Sequence, residues 1–188
     1  MRELILNKKT GFRVKDSGKP VIIRDETGQS FYNTEPILPR VIAFNLPKGK
    51  YWIEKGHFER LESPLNYPLF KLPQFERYGF PDAKKFKIVF GENPNKCSIL
   101  WDKKIILFDN SLKYYTKPMF DFIRFHEYAH RHYKTEKFCD LMAVNYMLFK
   151  GYNPSQIGET PVLSLSDNAY DRKVWLVNKI LSYEQKRK

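Results

Sequence analysis

A chain of 188 residues has room for one ordinary domain or two small ones, and 15 Phe, 12 Tyr and 3 Trp supply enough apolar area for a packed core. Together these exclude a large multidomain machine and a disordered tail. The net charge of +12, from 33 Lys and Arg against 21 Asp and Glu, would suit an acidic partner. The basic residues, however, are scattered in pairs such as Lys8-Lys9, Lys84-Lys85 and Lys103-Lys104, apart from the tail Lys186-Arg187-Lys188. No nucleic-acid motif frames them, so solvated surface is favoured over a nucleic-acid contact. The absence of a long apolar run, and a start (Met1 to Lys8) without the apolar stretch of a signal peptide, lead us to expect a soluble cytoplasmic protein with no membrane contact. Cys97 and Cys139 have no partner at metal-ligand spacing, which argues against a disulfide scaffold and a Cys-rich zinc module.

Residues 1–62 read as short strands, at 3–6, 12–15, 21–24, 40–44 and 50–54, each pairing β-formers with nearby breakers. Asp16-Ser17-Gly18-Lys19-Pro20, Asp25-Glu26-Thr27-Gly28 and Pro47-Lys48-Gly49 mark the turns. This is the pattern of a small all-β module, sandwich- or barrel-like. Pro64, Pro68, Pro73 and Pro81 then define a proline-rich linker over 63–82, because such a stretch forms neither a helix interior nor a central strand. Beyond it, residues 83–188 predict a short sheet followed by helices. Strands are expected at 86–90, 97–101 and 105–108, the last two joined in a hairpin by Asp102-Lys103-Lys104. The fold class is therefore α+β.

A helix follows Thr116, with Pro118 in its first turn and Met119, Phe122, Ile123, His126, His130 and Tyr133 on one face. A second helix, 136–150, starts after Thr135 and ends at Gly151; it is apolar nearly all round, Phe149 included, so it should be enclosed. Asn153-Pro154 opens a further short helical turn, and a last helix over 167–183 should turn Tyr170, Val174, Val177 and Leu181 inward.

The chemistry concentrates in the first of these helices. His126-Glu127-Tyr128-Ala129-His130 has the form H-E-x-x-H, which places two imidazoles one turn apart so that they can share one Zn²⁺, with Glu127 beside the open coordination position. Glu136-Lys137-Phe138-Cys139-Asp140 puts two carboxylates on one face of the next helix. If the helices are antiparallel, Glu136 comes opposite His130 and Asp140 opposite His126, so that one acid can ligate metal while the other orients a ring. Either could be the third ligand. His132 points away from this side, His57 has no partner in sequence, and Cys139 reads as a small apolar packing residue. Tyr152, Tyr170 and Arg172 are candidate donors to a developing oxyanion.

H-E-x-x-H followed by E-x-x-x-D resembles the gluzincin metallopeptidases, the thermolysin-like group, and Asp140-x-x-Ala143 resembles the compact ImmA/IrrE-type minimal zincins. The resemblance spans residues 118–151 and departs from the family in the short connection between His130 and Glu136. It implies a zincin-like domain over 83–188 with His126, His130 and Glu136 as metal ligands, Glu127 as general base and Asp140 bonded to His126. A zinc-dependent hydrolase of peptide bonds in a peptide or protein substrate is the expected function. The substrate would add as a strand to a sheet edge near 97–101 or 105–109. Residues 93–97 with 151–156 also resemble uncharacterised proteins of crAss-like gut phages, which raises an alternative. In that case the chain is a particle or assembly protein, located in host cytoplasm or virion, that contacts phage structural proteins and carries a structural or vestigial metal site.

Overall fold

The computed structural model describes residues 1–15, 18–33, 43–74, 86–164 and 169–185. Among the described residues, ten strands and four α-helices give an α+β fold. Among the expected features, residues 16–17, 40–42 and 167–168, the linker from 75 onward and the basic tail lie outside the described residues.

The first half forms two small antiparallel sheets. One has the order β1-β6-β3-β4, from Arg2–Leu6, Gly49–Lys55, Ile22–Asp25 and Ser30–Asn33. The other has the order β5-β2-β7, from Ala43–Leu46, Thr10–Val14 and Phe58–Arg60. Alternation decides which side of β6 faces inward: Tyr51 and Ile53 are buried and Trp52 and Glu54 are less so. The sheets meet through aromatic contacts such as Tyr32 stacked on Phe44 at 4.8 Å. At the β3–β4 turn, Asp25 Oδ1 accepts from the backbone N–H of Thr27 at 2.9 Å, and Gly28 takes the positive φ of 80° that the bend requires.

The third sheet, β8-β10-β9, joins Lys87–Gly91, Ile105–Asp109 and Cys97–Leu100. β10 runs parallel to β8 and antiparallel to β9. Because β10 is paired on both sides, the expectation that 105–109 could be a docking edge is corrected, and β9 stays as the edge on that side. Helix α1, Lys117–Ala129, lies against this sheet through Phe120, 5.1 Å from Phe108, and Tyr128, 5.7 Å from Trp101. Its other side packs on α2, Glu136–Lys150. Gly151 ends α2 in the left-handed conformation at φ 108°, as the sequence predicts.

Three expectations about the helices need correction. Phe149, counted among the enclosing residues of α2, is 57% exposed. The turn opened by Pro154 continues as α3 to Ser164. In α4, Tyr170–Gln185, the inward residues are Leu176 and Ile180, whereas Tyr170, Val174 and Leu181 are exposed. The physical reason is that the inward stripe of α4 runs through a polar residue, Arg172, spaced i, i+4, i+8 with Leu176 and Ile180, which hides it from a search for apolar periodicity.

The two halves share one cluster of buried apolar side chains, from Leu6 through Ile180. Buried amides bind them further by imitating backbone. The Asn45 side chain donates to Leu65 O at 2.9 Å and accepts from Leu65 N at 2.8 Å. The Asn145 side chain does the same with Phe70, at 2.9 and 2.7 Å. Asn153 Oδ1 accepts from the backbone N–H of Asn45 at 2.8 Å, and Gln156 Nε2 donates to Phe31 O at 2.7 Å. Each removes a pair of backbone groups from the list of buried orphans. The described part of the proline-rich stretch thus lies against α2, with Tyr133 Oη donating to Pro73 O at 2.9 Å.

Candidate metal centre

The helical hairpin α1–α2 sets the geometry. His126 is buried in the last turn of α1, and His130 occupies its C-cap, one turn on and a third exposed. Their Nε2 atoms lie 3.2 Å apart. Glu127 joins them, with one ligand atom from each of the three residues lying within 4.8 Å of the others. The chain then turns at Tyr133, whose N–H bonds to Ala129 O at 2.9 Å, and α2 returns antiparallel. Glu136, in the first turn of α2, reaches both rings, 3.2 Å from His126 Nε2 and 3.4 Å from His130 Nε2. One turn deeper, Asp140 Oδ1 lies 2.8 Å from His126 Nδ1. The short connection after His130 therefore suffices to bring Glu136 to both imidazoles, and it leaves Asp140 behind His126, on the ring nitrogen turned away from the cluster.

Electrostatics follow from this crowding. Burial disfavours the charged ring of His126, but the carboxylates of Asp140 and Glu136 outweigh it and lift the group to about 9. Glu136 is held down to about 2 by its hydrogen bond with His126, against the opposing effect of burial, with the charges of His126, Arg172 and His130 adding to the shift. Glu127 is raised above the usual carboxylate range, first by burial and then by Glu136. His130 is lowered by burial and by its neighbour His126. The cluster could hold a metal ion: two imidazole nitrogens and one carboxylate converge, a donor set that fits Zn²⁺. Asp140 Oδ1 and His126 Nδ1, both buried, lie at hydrogen-bonding distance, so the acid is placed to orient the ring.

The other sequence candidates separate clearly. Tyr152 is committed elsewhere, donating to Asp121 Oδ2 at 2.7 Å inside the core. Tyr170 is exposed on the wall of a cleft of about 680 Å³ that opens beside Glu136 and is also lined by Phe138, Arg172 and Trp175. Arg172 is at the centre: its Nη1 donates to Glu136 Oε2 at 2.6 Å and its Nε lies 2.8 Å from Asp140 Oδ2. Its place was not visible as such in the sequence, where only a donor role was read. His132 is partly buried past the end of α1, and His57 is exposed beside β7; neither joins the cluster. Cys139 is packed, as expected, and also close to the site, with Sγ 3.4 Å from His130 Nδ1 and 3.5 Å from Tyr133 O. Burial, with the nearby acids Glu136 and Asp140, pushes its thiol up to about 12, so it is no nucleophile at neutral pH. The adjacency of Cys139 to the orienting acid, one position before Asp140, was the only signal available for this contact.

Compared with known proteins, the chain matches no family model, no curated protein and no solved structure.

Proposed function

We propose that the protein is a zinc-dependent metallopeptidase of the minimal gluzincin kind, acting on peptide or protein substrate. The observation that carries this reading is the convergence of His126, His130 and Glu136, with Glu127 beside the two rings. His126, His130 and Glu136 would hold the metal, and Asp140 would fix the His126 ring with its Nδ1–H inward and its Nε2 lone pair toward the site. This favours Glu136 over Asp140 as the third ligand, because Asp140 faces the opposite nitrogen of His126. A bound zinc ion would supply Lewis-acid polarisation of a peptide carbonyl and would acidify water near neutral pH.

The chain's own residues do the remaining work. Glu127, half-buried and raised in proton affinity, accepts a proton from the attacking water and returns it to the leaving nitrogen. The edge strand β9 lies beside α1 and offers an extended substrate a line of backbone hydrogen bonds. Cytoplasmic action is part of the proposal. Among the described residues no helix is long and apolar enough to cross a membrane.

The test pairs metal analysis with cleavage of a peptide library by wild type and Glu127→Gln. Cleavage that needs zinc and vanishes in the variant while zinc is retained supports the reading. Zinc with no cleavage of any library member would instead favour a structural metal in a binding or assembly protein.

A further inference from the structure

We infer that Arg172 is a positioning residue of the metal centre, acting through Glu136 and Asp140 together rather than on substrate; the inference rests on the proposed zinc site. Its side chain is four-fifths buried and its guanidinium touches both acids, Nη1 at 2.6 Å from Glu136 Oε2 and Nε at 2.8 Å from Asp140 Oδ2. Arg172 reaches them from α4, where Leu176 and Ile180, both fully buried, continue the same face into the core. The fork is therefore anchored at its base by packing, and its planar shape suits two carboxylates one helical turn apart on α2.

Each contact answers a need of the site. Glu136 is half exposed, and a side chain with that much rotamer freedom loses entropy when it is fixed as a ligand. Arg172 takes that freedom away in advance. Asp140 is fully buried, so the guanidinium supplies the countercharge that lets it stand behind His126. Held from one side by His126 and from the other by Arg172, Asp140 joins α1, α2 and α4 at a single carboxylate.

The inference has a rival of opposite sign. A fixed cation beside two acids of the site repels a second cation, so on charge alone removing Arg172 should tighten metal binding. Positioning predicts the reverse. The deciding experiment measures Zn²⁺ affinity by competition with a chromogenic chelator for wild type, Arg172→Lys, Arg172→Met and Arg172→Ala, alongside melting of each zinc-free protein. Arg172→Met keeps the apolar stem against the core and serves if Arg172→Ala does not fold.

Arg172→Met and Arg172→Ala should bind zinc about 10 to 100 times more weakly, the usual loss when a partner of a metal ligand is removed. Arg172→Lys, which restores charge but cannot fork, should fall between them and wild type. Unchanged or tighter binding in Arg172→Met overturns the inference, as does a loss of melting temperature with the affinity of the folded protein intact. A wild-type chain that folds and takes up no zinc overturns the inference and the proposed function together, whereas normal wild-type affinity with unaffected variants overturns the inference alone.

Discussion

The α1–α2 hairpin holds a buried aspartate near each of its ends, and the two are treated differently. Asp121, near the start of α1, is 3% exposed and is closed in by partners of its own: Arg124, Tyr152 at 2.7 Å, Lys150 at 3.7 Å and Lys117 at 4.0 Å. Burial works against its charge, but Arg124, Lys117 and Lys150 outweigh burial and hold the carboxyl below its ordinary range. Asp140, fully buried near the other end, is shared between a histidine and an arginine that both have a second acidic neighbour in Glu136. The first acid sits among three cations and a tyrosine and ties α1 to the end of α2. The second belongs to a group whose outer members, His126, His130 and Glu136, still face one another. On the proposed function, a buried carboxylate serves the fold or the metal site according to whether its partners also face other groups of the site.

The largest expected effect lies at the functional end. Glu127→Gln fills the same space without accepting a proton, so cleavage by the zinc-loaded protein should fall by about 10² to 10⁴. Steady-state kinetics on any cleaved peptide checks this, and an unchanged kcat would break the assignment of the base.

At the structural end, Asp121→Asn should destabilise the fold on the order of 3 kcal/mol, because Arg124 and Lys150 lose the charge they were buried against, while zinc affinity stays near wild type. The pH dependence has a definite sign. Because the folded carboxyl is more acidic than the unfolded one, its stabilisation is present above the ordinary carboxylate pKa, about 4, and is lost as pH falls through the folded value. Urea melts of wild type should therefore weaken as acid is added below about pH 4, and those of Asp121→Asn should weaken less. Equal acid sensitivity would show that other carboxylates dominate.

Asp140→Asn sharpens the contrast from the other side. It should lower zinc affinity by about 10 to 100 times, since an amide can present its N–H to His126 and favour the wrong tautomer. Zinc competition measures it; a loss of stability as large as that of Asp121→Asn, with affinity unchanged, would erase the distinction between the two acids.

How much of this the sequence already held depends on the range of the interactions. The bounds of α2 are legible because Thr135 and Gly151 mark its ends locally, although the Thr135 side chain makes no capping bond. H-E-x-x-H and E-x-x-x-D are readable because each is one turn of one helix. Strands β4 and β7 escaped because Ser30–Asn33 is half polar and Phe58–Arg60 only three residues long, too little for an alternation to register. The face of α4 was misread because its inward stripe contains Arg172, whose reason for pointing inward is Glu136, 36 positions earlier. The amide seam of Asn45, Asn145 and Asn153 was invisible for the same reason: an Asn that mimics backbone leaves no periodic trace, and its partner lies as far as 108 positions away.

The smallest expected effect concerns Cys139. Replacing it by Ala removes only a weak sulfur contact to His130, worth ~0.5 kcal/mol, so zinc affinity should change by about twofold. Isothermal competition resolves this, and a change approaching that of Asp140→Asn would mean that the thiol orients His130 as firmly as Asp140 orients His126.

On the proposed function, the turn end of the α1–α2 hairpin, which carries His126, His130 and Glu136, binds zinc. Elemental analysis of the purified, folded protein tests it most directly, with His126→Ala and His130→Ala beside the wild type and circular dichroism to establish folding. The account predicts one zinc per wild-type chain and little in either variant. A folded wild type without zinc, or full zinc in both variants, would contradict it.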